Sequence, residues 1–224
     1  FLFLQTKSKH NFKSIDTMIT DGKKGDVFTY IQNDVVSDAP NFDIYNPSFE
    51  YDQDIISQMK NSMFGENRSY FNVHTLQVTK EQPFSKSNAK QAHLGDEELV
   101  DVDDDINENP TRVTRVAITD FTQRTDGTIN SGEGDYHPHK VISQSRMRYE
   151  TLLSRSLRIT VPCNIQLEAG DVISVKLIKT MAGNDEWLSG FYLIKDLRHT
   201  VHFRDNGIQC YTYLRLVRDT PGDA

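Results

Sequence analysis

The densest set of side chains capable of metal or acid–base chemistry is His137-Pro138-His139, with Glu133 and Asp135 just before it. Two imidazoles and two carboxylates are the right donors for a divalent ion, but they must converge on one point. The proline between the histidines turns the two rings apart, the surrounding segment is rich in glycine, and no third ligand stands at a diagnostic spacing such as H-E-x-x-H. Asp101, Asp103 and Asp105 imitate the opening of a calcium loop, in which alternate carboxylates meet on one hard cation. The match ends at the sixth position, Ile106 in place of glycine, and at the twelfth, Arg112 in place of glutamate. A solvated acidic loop is the expectation there.

His199 and His202 are three apart in a segment with strand periodicity, so they point to opposite faces and cannot chelate together. One belongs in a core or interface and the other outside. No G-x-S-x-G elbow, P-loop, G-x-G-x-x-G turn or Cys-His signature occurs. The scattered carboxylates single out no pair for glycoside hydrolysis. The expectation is therefore no catalytic residue, no metal and no cofactor.

Whatever the chain does must be positioned by a fold of modest size. Its 224 residues, 37% of them hydrophobic and 25% charged, suit a folded protein of two packed units, since domains run about 100–200 residues. The net charge of −7 comes from one stretch: Asp96, Glu97, Glu98, Asp101, Asp103, Asp104, Asp105 and Glu108 carry −8 with no Lys or Arg among them, and the remainder sums to +1. No basic cluster suggests sequence-specific DNA recognition. No apolar run approaches the roughly 20 residues that span a bilayer, and no signal peptide is present, so no membrane insertion is expected. Cys163 and Cys210 fall in β-type segments as small buried hydrophobes, and no disulfide is required.

The opening Phe1–Gln5 reads as a strand already under way, as if the chain began inside a longer one. Phe12, Ile15 and Ile19 then recur at helical spacing over 11–19, followed by a Gly-Lys turn at 21–25 and a strand at 27–31. Tyr51, Ile55, Met59 and Met63 mark a helix closed by Gly65. One strand is expected over 68–79, an acidic excursion over 85–109, a strand at 113–121, turns over 125–140 and a helix over 143–155. The last third alternates most cleanly, at 157–161, 173–177, 197–203 and 208–216, with Asp205-Asn206-Gly207 as the tip of a long hairpin. Four strands in series with short turns read as a meander.

The order of these features, beginning with Phe1-Leu-Phe-Leu-Gln-Thr and Asn11-Phe12-Lys13-Ser14-Ile15-Asp16-Thr17-Met18-Ile19, resembles the baseplate hub subunit of T-even-type contractile phage tails. Leu157-Arg158-Ile159-Thr160-Val161, Leu167-Glu168-Ala169-Gly170-Asp171, Gly190-Phe191-Tyr192-Leu193-Ile194 and Tyr211-Thr212-Tyr213-Leu214 resemble the closing barrel of that family. The resemblance implies an α+β, mainly β chain: an α/β segment over 1–64, an antiparallel β-barrel made of 65–85 plus 151–218, and an accessory insertion over 86–150. It also implies a homotrimeric ring in the virion's tail baseplate. Its partners there would be a central spike protein, the tail tube protein and baseplate wedge proteins, with DNA passing through the lumen. Arg198, His202, Tyr211, Tyr213 and Arg215, on the outer face of the last hairpin, become the candidate interface or lumen residues. The hub of a related injection machine, and a carbohydrate-binding or peptidoglycan-degrading tail module, are the rival readings.

Overall fold

A computed structural model describes residues 1–7, 9–33, 40–50, 57, 60–61, 65–73, 76–80, 84–85, 92–95, 114–119, 138–152, 155–178, 185, 188–204 and 207–219. The strands are β1 (Leu2–Gln5), β2 (His10–Lys13), β3 (Thr29–Ile31), β4 (Tyr45–Glu50), β5 (Gly65–Asn72), β6 (Gln77–Lys80), β7 (Phe84–Ser85), β8 (Thr114–Thr119), β9 (Arg155–Pro162), β10 (Val172–Lys176), β11 (Gly190–Arg204) and β12 (Gly207–Arg218). Among the described residues two longer helices join them, α1 (Ile15–Lys24) and α2 (Pro138–Leu152). The chain divides into two compact units. The first holds Phe1–Gln53, Gln91–Val100 and Leu152–Ala224; the second holds Asp54–Lys90 and Asp101–Thr151.

The first unit is built on a curled six-stranded sheet in the order β3-β10-β11-β12-β9-β4. Four of its five neighbour relations are antiparallel; β3 runs parallel to β10, with Tyr30 beside Val175. The sheet is thus mixed, a half-barrel, and the purely antiparallel arrangement expected from sequence is corrected. The last four strands are also not a meander. β9 skips past β10 and β11 to pair with β12, Ile159 opposite Leu214, which is Greek-key order. Period two fixes which residues face the core, but it does not fix which strand lies beside which.

The concave face of this sheet holds the main core. Tyr30, Leu157, Ile159, Val161, Ile173, Val175, Ile194, Leu214 and Leu216 meet there with almost no surface exposed. On the other side of β10, α1 lays Ile15, Met18 and Ile19 against Val172, Leu193, Val217 and Leu94. The helix starts later than its periodicity suggests because Ser14 caps it, its Oγ accepting from the Thr17 amide at 3.1 Å. Residues 10–13 are therefore strand, and the helix continues through the supposed turn to Lys24. Lys23 and Lys24 suit its negative C-terminal end. Gly22 is what lets α1 approach the sheet, since a Cβ there would come within 2.4 Å of Val172 Cγ2.

The strand expected to be borrowed from 65–85 does not enter this sheet; β3 and β4 supply its two edges instead. Residues 65–85 belong to the second unit, where β5 pairs antiparallel with β6 and β7 and parallel with β8. The single strand expected over 68–79 is a hairpin, with Leu76 at a φ of 55° in its turn. In the same unit α2 begins at Pro138, earlier than expected, where the missing amide hydrogen of proline costs nothing. Ser143 Oγ donates to the buried Glu66 carboxylate at 2.5 Å, and Arg115 Nε lies 3.4 Å from its other oxygen. The expected helix over 51–63 falls almost entirely outside the described residues. The segment 92–95, expected to lie in an inserted region, packs in the first unit instead. Ala92 N donates to Asp16 Oδ1 and Leu94 N to Asp219 Oδ1, with Leu94 fully buried.

Cys163 and Cys210 are joined, correcting the expectation of two free thiols. Tyr211 lies opposite Pro162, so the next pair outward along β9 and β12 sets the two cysteines facing, with Cα atoms 5.1 Å apart. That distance sits inside the roughly 4.4–6.8 Å range of unforced bridges. With 47 residues of separation, the chain-entropy relation puts the bond's contribution at about 4 kcal/mol. Cys210→Ala, or reduction of the wild type, is expected to lower the free energy of unfolding by about 2–4 kcal/mol, read as a lower urea midpoint with an unchanged fold by circular dichroism.

Candidate interface on the outer sheet face

The register of the long hairpin sorts its side chains between two faces. Leu197 lies opposite Leu214, His199 opposite Thr212 and Val201 opposite Cys210 on the core side. Asp196 opposite Arg215, Arg198 opposite Tyr213, Thr200 opposite Tyr211 and His202 opposite Gln209 share the outer side. Arg198, His202, Tyr211, Tyr213 and Arg215 are therefore brought together on one face. The Arg198 guanidinium carbon lies 4.9 Å from the Tyr213 ring centre, a cation–π distance. The His202 and Tyr211 rings are 6.3 Å apart.

Sequence reasoning missed the other half of this face, which comes from β9 and β4. Tyr45 approaches Tyr211 edge-on at 6.1 Å. Glu50 accepts from Arg215 Nη2 at 3.2 Å and from Ser156 Oγ at 3.2 Å, and it also contacts Arg158. Arg215 reaches Asp196 as well, at 3.9 Å. Pro47 disguises β4, because a proline inside a six-residue run argues against a strand unless the strand is an edge. The signal available was that Pro47 is flanked by residues that tolerate an edge.

Partial burial on its own would raise the Glu50 pKa. The hydrogen bonds from Arg215 and Ser156 and the charges of Arg158 and Arg215 outweigh it and hold the carboxyl below its ordinary 4.5. His199 shows the opposite side of the hairpin. Its Nδ1 is 2.9 Å from Thr212 Oγ1, and burial, followed by the charge of Lys7, pushes its pKa below 6.5. The two histidines do point to opposite faces, His199 half-buried and His202 exposed.

The face is built of ion pairs, ring contacts and side-chain hydrogen bonds. Among the described residues no three His, Cys, Asp or Glu side chains are grouped so as to hold a metal ion. His137, Glu133, Asp135 and the acidic stretch 96–108 lie outside the described residues. No helix among them is long and apolar enough to cross a membrane. No protein-family model matches the chain, and no curated protein matches it.

Two titrations test the site. Because the Glu50 pKa is depressed on folding, the folded state binds fewer protons, and its stabilisation is present above pH 4.5 and lost as pH falls through the folded value. The gap in melting temperature between wild type and Glu50→Gln is expected to close as pH falls below 4.5 and through the lower folded value. His199 is a base with a depressed pKa, so the unfolded chain takes up its proton first. Wild type should lose stability as pH falls below 6.5 relative to His199→Gln, followed by thermal melts across that window.

Proposed function

We propose that the chain is a structural subunit of a contractile-tail baseplate, a homotrimeric hub that joins the tail tube to a central spike and lines part of the DNA conduit. In this reading the half-barrel is the hub-type barrel, and neighbouring copies complete it. The central spike protein, the tail tube protein and wedge proteins would be its partners in the virion. The observation that carries the reading is the outer face of the long hairpin. Three tyrosines and three arginines from four segments of one sheet stand together there, and Tyr and Arg are the residues enriched at protein interfaces.

A second feature supports it. β10 pairs with β11 only from Gly190 to Leu193, so among the described residues the outer edge of β11 from 195 to 204 has no hydrogen-bonded strand partner, although the segment 3–7 lies across a cavity from its first residues. An unpaired edge is a template for another chain. The apolar face of the same hairpin also runs out past the core, leaving Val201 48%, Phe203 78% and Ile208 69% exposed. Ring closure by strand edges uses both.

Native mass spectrometry at micromolar concentration is expected to show a trimer. Combining Arg198→Glu with Tyr213→Ala should weaken it by tenfold or more, since aromatic and arginine anchors cost about 1–2 kcal/mol or more on truncation. A wild-type chain that stays monomeric while fully folded would sink the reading, as would glycan turnover that one carboxylate variant abolishes.

A further inference from the structure

The long hairpin of β11 and β12 loses its neighbours before it ends. β9 follows β12 as far as Pro162, which lies opposite Tyr211 and has no amide hydrogen to carry the ladder on. On the other side, β10 leaves β11 after Leu193. Beyond Tyr211 the hairpin continues through Val201 opposite Cys210, His202 opposite Gln209, Phe203 opposite Ile208 and Arg204 opposite Gly207. Among the described residues no strand flanks this tip on either edge. A two-stranded ribbon is marginal in water by itself. Here its apolar side chains Val201, Phe203 and Ile208 are exposed, so burial does little to hold it.

The Cys163–Cys210 bond sits at the boundary between stem and tip. Cys163 is the first residue after β9, and Cys210 is the first residue of β12 beyond the β9 ladder. The two sides of the bond are anchored unequally. Next to Cys163, Asn164 N donates to Thr212 Oγ1 at 3.2 Å and Asn164 Nδ2 to the Tyr30 hydroxyl at 3.0 Å, and both partners belong to fully buried residues. Gln166 N then donates to Asn164 Oδ1 at 3.0 Å, which fixes the rest of that loop. On the Cys210 side the chain runs out into the exposed tip. Both cysteines keep part of their surface in solvent, the condition for attack by a small thiol.

We infer that the Cys163–Cys210 bond is a redox-sensitive clamp on the hairpin tip. Closed, it ties residues 201–204 and 207–210 to the anchored loop and holds their free edge and apolar side chains in one register. Open, it lets that ribbon fray, while the stem from Thr212 to Arg218 keeps its pairing with β9. The reductant is a dithiol. One of its thiolates attacks one bridging sulfur and displaces the other cysteine as a thiolate; its second thiol then closes the reductant's own disulfide and frees the first cysteine. The dithiol supplies the two electrons, and its two protons end on the two cysteines. The tip carries the unpaired edge assigned above to ring closure, so the consequence for assembly rests on the hub reading; the clamp itself does not.

Hydrogen–deuterium exchange of the full chain, labelled for seconds to minutes with and without dithiothreitol, tests the clamp. After reduction the amides of 201–204 and 207–210 are expected to exchange roughly tenfold faster or more, as local opening requires, while 157–161 and 212–217 stay protected over the same times. Cys163→Ser should exchange like the reduced wild type whether or not dithiothreitol is present, which separates loss of the bond from any other effect of the reductant. Equal exchange at the tip in the two redox states overturns the inference. Acceleration that spreads over 157–161 and 212–217 at the same labelling times does so too, since the bond would then hold the whole sheet. Two titratable thiols that persist after incubation with oxidised glutathione also overturn it. Native mass spectrometry of the same samples reads assembly separately, and reduction should weaken the trimer several-fold, because a frayed edge must be ordered on binding. A chain that is monomeric in both states while its tip still responds to dithiothreitol supports the clamp and overturns the hub reading.

Discussion

The guanidinium of Arg218 organises the first unit. It sits at the end of β12, the strand flanked by both β11 and β9, with none of its surface exposed. A buried cation is costly unless its surroundings replace water. Here Nη1 donates to Ser189 O at 2.6 Å, and the Tyr192 ring lies 5.3 Å from the guanidinium carbon. Burial raises the Tyr192 pKa above 10.0, while Arg218 and Arg155 partly offset it. The constraint spreads outward. Gly190 holds a φ of 132°, and a Cβ there would stand 2.6–2.9 Å from the guanidinium, so both backbone and space demand glycine at the start of β11. One residue further, buried Asp219 accepts from Leu94 N and pairs with His93, which ties the distant segment 92–95 to the end of the same strand.

How much of this was legible in the sequence depends on whether the information was local. The alternation of Ile208, Cys210, Thr212, Leu214 and Leu216 placed the core face of β12 correctly from Thr212 to Leu216, because side-chain direction in a strand is set by parity alone. The same parity put Arg198, His202, Tyr211, Tyr213 and Arg215 on the other face. Strand order is not local. Nothing in Leu157–Val161 distinguishes pairing with β10 from pairing with β12, and the disulfide was hidden with it, since the cysteines meet only if β9 lies beside β12. Helix α1 was displaced in the reading because Phe12 continues its apolar period by accident, while the Ser14 cap holds the actual start.

The half of the outer face supplied by β4 was lost for a further reason. Its residues Tyr45 and Glu50 lie in a short run interrupted by Pro47 and separated from the last hairpin by more than a hundred residues of sequence. Their role appears only when the edge of a curled sheet returns beside β9, with Ser48 opposite Arg158. Glu50 then meets Arg158 and Arg215, and a cluster that reads as isolated arginines in sequence carries its own counter-charge. The hairpin beyond this point changes character within a few residues: the core-facing positions that hold Leu214 and Leu197 in the stem hold exposed Phe203 and Ile208 at the tip.

The position of the disulfide makes its geometry depend on strand pairing. Cys163 and Cys210 face each other only once β9 and β12 are paired, so oxidation can follow folding and is not needed to direct it. A reducing compartment, where thiols persist, would hold the same strands in the same register with the staple open. Transfer to an oxidising medium would then lock two strands of the central sheet without moving the backbone.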